Sequence, residues 1–274
     1  MNRFIIALVP FAGLLLFSDY QPIGSMAGKG AASNRSARAI EDRAFPGDLF
    51  RQKAVIVWQP SHQTNTGRDF SEAAVCNGIV EAAMNAESDL KEFKVWSLGK
   101  KNVHHADVGS NTVTEHTSQI IEGKKSGYAW ELEAANRKDP LVFISVHNNG
   151  GTNRHAIWGY IHEGDEYEAE NRVLAERLVH AISKVTDLEN RGVLLDSSTG
   201  RNDYRCSSSN KRAFYSLDEN INKAPYRVLL EIGDNAVSKS FLQNPANQKK
   251  MGEALKAELI TWLSENQDSK NKKD

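Results

Sequence analysis

Cysteine is scarce: Cys76 and Cys206 are the only two in 274 residues. That excludes a disulfide-stapled scaffold, and leaves open whether the two pair. A charge excess of either sign is missing. The 34 Lys+Arg and 35 Asp+Glu leave a formal net charge of -1, so there is no global basic footprint and nucleic acid is excluded as the main partner. Long apolar runs are missing too. The run at 4–17 (FIIALVPFAGLLLF) has 14 residues, short of the roughly 20 that span a bilayer. There is no internal repeat and no low-complexity tract. What remains, 40% apolar and 25% charged, is ordinary globular usage and excludes a collagen, a disordered tail or a polytopic membrane protein. Such a length suits one domain of about 200 residues with extensions, able to bury a core without staples.

The N-terminus reads as a leader. A short basic start, Met1-Asn2-Arg3, precedes the apolar run, and Ser25-Met26-Ala27 offers a small-x-small cleavage site. This is the pattern of a signal peptide over 1–27, with an uncleaved anchor as the alternative. No Cys stands near the end of the run, which argues against a lipoprotein anchor. The mature chain is then expected outside the cytoplasm, secreted or periplasmic, with no stable membrane span after cleavage. Residues 28–51 read as a linker, 52–265 as one folded domain, and 266–274 (NQDSKNKKD) as a frayed polar tail.

Within the domain, apolar runs alternate with helical periods. Strands are expected at 54–58 (AVIVW), 93–98, 141–146 (LVFISV), 156–161 (AIWGYI, with an internal Gly) and 227–232 (RVLLEI). Helices are expected at about 69–84, 118–136, 166–185 and 247–263. A long polar stretch, 192–213, carries Arg201, Arg205, Lys211 and Arg212 and reads as a lip over a cleft. The alternation predicts an α/β fold, a single domain with a mostly parallel central sheet flanked by helices. In such sheets ligands gather beyond the carboxyl ends of the strands.

Those ends carry chemistry. The first strand runs into Gln59-Pro60-Ser61-His62, the third into Ser145-Val146-His147-Asn148-Asn149, and the last into Glu231-Ile232-Gly233-Asp234. Glu72 sits in the first turn of the helix after His62, although Asp69 could serve there equally. Two imidazoles and two carboxylates at one edge suit zinc, because a His₂Glu set with a water is a catalytic arrangement and a further carboxylate can act as general base. His104, His105 and His116 read as solvated loop residues. Ser145, Asn148 and Asn149 are candidates to orient ligands by hydrogen bonds.

His62 with Glu72, FISVHNN and LLEIGDN resemble the zinc-dependent N-acetylmuramoyl-L-alanine amidases of the amidase_3 type, over about residues 54–263. The stretch FYSLDENINKAPYRVLLEIG resembles that family's closing motif. The resemblance implies an amidase_3-like fold for the catalytic domain, Zn²⁺ as cofactor, His62, Glu72 and His147 as metal ligands, and Glu231 as catalytic base. It implies peptidoglycan as partner, with cleavage of the amide between N-acetylmuramic acid and L-alanine in cell-wall remodelling or cell separation by a monomer. The chain departs from the pattern at three places: Gln59-Pro60-Ser61-His62-Gln63 replaces Asp-Pro-Gly-His-Gly, Asp234 follows the last Gly, and Asp218 follows Leu217. No helix that could block the site is expected after His147. The alternatives are a zinc peptidase or amidohydrolase acting on another amide, and a binding-only pseudoenzyme.

Overall fold

The computed structural model describes residues 54–64, 66–98, 103–104, 125–200, 204–206 and 208–271. The expected leader, the linker, His105 and His116 lie outside them. The elements, in chain order, are β1 (Val55–Pro60), α1 (Glu72–Asn85), β2 (Lys91–Lys94), β3 (Val103–His104), β4 (Lys125–Ser126), α2 (Gly127–Asn136), β5 (Val142–Asn149), β6 (Ala156–Ile161), α3 (Glu168–Val185), β7 (Glu189–Leu195), β8 (Tyr226–Asp234), α4 (Lys239–Leu242) and α5 (Pro245–Asn271).

Six strands form one sheet in the order β2-β1-β5-β8-β6-β7. The β2–β1–β5–β8 pairs are parallel, β6 runs antiparallel to β8, and β7 is parallel to β6. The sheet is therefore mostly parallel and flanked by helices, as the alternation predicts. β8 is buried along its whole length and β5 along all but its last residue, which is why both read as near-continuous apolar runs. α1 packs on α5 almost backbone to backbone: a Cβ on Gly252 would stand 2.4 Å from the Ile79 carbonyl oxygen. The Gly inside β6 has the same kind of reason. A Cβ on Gly159 would meet Val193, Val179 and Ala175 at 3.1, 3.2 and 3.3 Å, where α3 and β7 close on the strand.

Several boundaries differ from expectation. α1 starts at Glu72, not 69, because Asp69 has φ +53°, outside the helical region, and Ser71 caps the helix by accepting from the Ala74 N–H at 3.2 Å. β2 covers Lys91–Lys94 and not 93–98; beyond it the Ser97 N–H donates to Glu131. Within the expected 118–136 helix, Lys125–Ser126 are strand β4 and the helix begins at Gly127. Part of the 192–213 stretch is strand, β7, followed by a 3-10 turn at Asp196–Thr199. In its remainder, Tyr204, Cys206 and Ala213 pack into a core cluster with Val57, Tyr128 and Phe143, while Arg205 and 208–211 are exposed. α5 carries on to Asn271, into the stretch read as a tail. Cys76 and Cys206 are both free and buried. No helix of the described residues is long and apolar enough to cross a membrane.

Candidate active site

β1, β5 and β8 end at one edge, and the site is built there. His62 follows β1 and is held from both sides. The Ser61 N–H donates to the Val146 carbonyl at 2.9 Å, and the Trp96 indole N–H donates to the Ser61 carbonyl at 2.9 Å. The ring turns Nδ1 to the Glu131 carboxylate, at 3.1 and 3.2 Å from its two oxygens. Glu131 is fully buried and also accepts from Gln59 Nε2 at 2.5 Å and the Ser97 N–H at 2.7 Å. Burial alone would raise its pKa, but His62 and these donors together hold the carboxyl below its ordinary value. A carboxylate on Nδ1 fixes the imidazole so that Nε2 faces the opposite way, the usual orientation of a metal-binding histidine.

His147 lies in β5 in register with Glu231 of β8. Its Nδ1 is 2.9 Å from Glu72 Oε1, and its Nε2 is 3.3 Å from the Tyr128 hydroxyl. The Tyr128 ring meets His62 edge-on at 4.6 Å between centroids and lies parallel to His147 at 6.3 Å, so it separates the two imidazoles. Glu72 is the first residue of α1, where the helix dipole favours a carboxylate, and it is only 4% exposed. Asp69, its rival in sequence, points to solvent beside Arg68. One turn into α1, burial first and then the charges of Glu72 and Glu231 push the Cys76 thiol up.

The structure thus brings His62, Glu72, His147 and Glu231 to one buried edge. Ser145 joins them indirectly, donating to Gln59 Oε1 at 2.5 Å. Asn149 does not: its side chain accepts from the Gly150 N–H at 3.0 Å, in the turn beyond the strand. Asn148 instead reaches inward, donating to the Ile232 carbonyl at 2.8 Å. Between β5 and β6 there is only a loop, so no helix lies over the site there. Two imidazoles and a carboxylate from three segments, all buried, are donor types that suit zinc, although their ligand atoms do not all lie within 4.8 Å of one another.

Each departure from the family pattern has a structural counterpart. Gln59 ties Ser145 to Glu131, so the carboxylate missing from the first motif is supplied by α2. Asp234 is fully buried and accepts from the Thr152 N–H and hydroxyl, both at 2.8 Å, and from the Asn153 and Ala236 N–H at 3.1 and 2.9 Å. It anchors the loop after β5. Asp218 accepts from the Tyr204 hydroxyl at 2.6 Å and belongs to a second cluster.

That cluster is what sequence reasoning missed. Among the described residues, one group of three metal-type donors has all its atoms within 4.8 Å of one another, and it is His162, Cys206 and Asp218. It is not the group that the motifs pick out. Burial opposes a charge on His162, but Asp196, with help from Cys206 and Asp218, pushes its pKa up to about 9. Burial would raise Cys206 and Asp218, yet hydrogen bonds from Ser208 and Ser209, and from Tyr204 and Asn220, hold both below their ordinary values. Glu131 and Tyr128 were missed as well. The signal for Glu131 was available: with Tyr128, Leu132 and Ala135 it sits on the buried face of α2, where an acid needs a partner. A hollow of about 570 Å³ lies elsewhere, between β2 and α2, lined by Phe93, Trp96, Trp130 and Lys138 among others.

The family model described as Amidase_3, N-acetylmuramoyl-L-alanine amidase, matches residues 60–261. Among solved structures, the chain is similar to N-acetylmuramoyl-L-alanine amidase AmiC2 of Nostoc punctiforme, at 18% identity and a TM-score of 0.52, covering 77% of this chain and 98% of that one. It is similar to the catalytic domain of CwlV, an N-acetylmuramoyl-L-alanine amidase from Bacillus (Paenibacillus) polymyxa var. colistinus, at 15% identity and 0.53, covering 77% and 98%. The N-acetylmuramoyl-L-alanine amidase from Clostridium difficile 630 follows at 14% identity and 0.52, covering 77% and 97%. At such identities the likeness is one of fold. A sequence search of curated proteins finds no match. Since the family model runs from the end of β1 into α5 and takes in His62, Glu72, His147 and Glu231, the chain belongs to the Amidase_3 family of N-acetylmuramoyl-L-alanine amidases.

Proposed function

We propose that this protein hydrolyses the amide between N-acetylmuramic acid and L-alanine in peptidoglycan, with zinc held by His62, Glu72 and His147 and with Glu231 as base. The observation that carries the reading is the pairing of His147 with Glu231 across β5 and β8, with Glu72 on the other side of the same imidazole. When bound, zinc lowers the pKa of water and polarises the scissile carbonyl. Glu131, through Nδ1 of His62, and Tyr128, at Nε2 of His147, orient the two imidazoles. Glu231 takes a proton from the attacking water on its carboxylate and delivers it to the departing nitrogen. The C–N bond breaks, leaving a carboxylate on the muramic acid side and a free amine on L-alanine. The expected place of action is outside the cytoplasm, in wall remodelling or cell separation.

The test is digestion of peptidoglycan by the full chain with zinc, read by mass spectrometry, beside Glu231→Gln and His147→Ala. The expected products are peptides with a free L-alanine amine, lost in both variants and with chelator. An intact wall from zinc-loaded protein overturns the substrate. Equal zinc content in the unmutated protein and His147→Ala overturns the ligand set.

A further inference from the structure

We infer that His162, Cys206 and Asp218 form a second metal site, for zinc or a zinc-like divalent cation, separate from the site at the strand ends. The three donors come from three places: the residue after β6, the bridged segment that pairs Arg205 with Arg212, and the turn after Leu217. Their donor atoms all lie within 4.8 Å of one another, and the residues are 3%, 1% and 0% exposed.

Each donor is already oriented. Nδ1 of His162 is 2.7 Å from Asp196 Oδ2, and Asp196 is itself fully buried and fixed by the N–H groups of Glu163 and Phe214 at 3.2 and 3.1 Å. A carboxylate on one imidazole nitrogen, which fixes the ring and leaves the other nitrogen for a metal, is the arrangement that supports metal-binding histidines. Cys206 Sγ is 2.9 Å from the Ser208 hydroxyl. Asp218 accepts from the Tyr204 hydroxyl at 2.6 Å and from the Asn220 N–H and side-chain amide at 2.8 and 2.9 Å.

The charge count favours a cation. Two carboxylates and a thiol meet one imidazole in a buried space, and buried acids require compensation. The donor types select the metal. Thiolate with imidazole suits zinc and is foreign to magnesium or calcium, which take oxygen ligands. The site is also apart from the first. Trp158 pairs with Glu231, and His162 lies four residues further along, about 13 Å at roughly 3.3 Å per residue. Because β6 runs against β8, its end points away from the edge where β5 and β8 finish. A cation there would pin the 204–218 region to β6 and to the 3-10 turn. This inference does not depend on the reaction proposed above.

The test is cobalt(II) titration of the metal-free full chain, with absorption spectroscopy and elemental analysis of the zinc form. The unmutated protein and His147→Ala are expected to show a thiolate-to-cobalt charge-transfer band, and Cys206→Ser to lose both that band and one equivalent of zinc. Loss of that equivalent in Cys206→Ser alone, with none lost in His147→Ala, supports this site while overturning the ligand set at the strand ends. No band in the unmutated protein, or a band kept in Cys206→Ser, overturns the inference. Should Cys206→Ser fail to fold, the unmutated protein decides: alkylation of Cys206 blocked by zinc and restored by chelator is expected. Alkylation at the same rate with and without zinc means a metal-free thiol–imidazole pair and overturns the site.

Discussion

His62 and His162 each present Nδ1 to a buried carboxylate, Glu131 in one case and Asp196 in the other. Around that shared feature the two centres diverge. The strand-end centre draws its donors from two histidines and the first residue of a helix, and it has a further carboxylate, Glu231, in register beside His147. The centre beyond β6 has one imidazole, a thiol and a carboxylate, and its other neighbours, Tyr204, Ser208 and Asn220, are hydroxyls and an amide that hold the donors in place. A reaction needs a group that can take up and return a proton. On the proposed reading the first centre has one in Glu231, while the second is surrounded by groups suited to holding. The comparison therefore separates a site built to react from a site built to hold.

The largest effect should come from the group that only the first centre has. Glu231→Gln is expected to lower amide hydrolysis by roughly 10²–10⁴-fold and to leave zinc content unchanged, measured by product release and elemental analysis on the same preparation. If zinc is lost along with activity, Glu231 is a ligand and the distinction between the centres breaks. A smaller and symmetrical effect is expected from the carboxylates they share. Glu131→Gln should weaken zinc at the strand ends, and Asp196→Asn at the cluster beyond β6, each by about 10–100-fold. Competition with a chelator resolves the two, because only the second carries a thiolate. Weakening of both centres by either variant would show that they are coupled.

What was legible in the sequence follows the same division. The parallel strands are buried on both faces, so they appear as apolar runs, and the polar residues after or near the ends of those runs, His62, His147 and Glu231, stand out in the sequence. Glu72 was less legible than these, because one turn upstream Asp69 offered the same chemistry. The positive φ of Asp69 and the cap at Ser71, which start the helix at Glu72 and leave Asp69 in solvent, distinguish them only in the fold. β7 was hidden because its residues are mostly exposed or half-buried and leave no apolar run. The second cluster was hidden for a different reason. Its donors sit at 162, 206 and 218, only the last of them inside a motif, and they meet because β6 runs antiparallel to β8 and Tyr204, Cys206 and Ala213 pack into the core. Local periodicity carries no trace of such a meeting. Glu131 falls between the cases, an acid on a buried helix face whose partner the sequence does not name.

The departures at 218 and 234 sharpen the comparison at its weakest point, since both introduce a buried aspartate but only Asp218 faces an imidazole and a thiol. Asp234 is the carboxylate with a purely structural task. Burial alone would raise its pKa. The N–H of Ala236, the Thr152 side chain and the N–H groups of Val237 and Asn153 outweigh that and hold the carboxyl below its ordinary value. A carboxyl with a depressed folded pKa contributes stability above its unfolded pKa, about 4, and loses it as pH falls through the folded value. Asp234→Asn is therefore expected to cost roughly 1–3 kcal/mol at neutral pH and to flatten the acid limb of stability below about pH 4, measured by denaturant unfolding at a series of pH values. Zinc content should not change at either centre, because none of the contacts of Asp234 reaches a donor. An acid limb as steep as that of the unmutated protein would mean that the loop after β5 is held by other contacts, and that this aspartate, unlike Asp218, has no work to do in the folded chain.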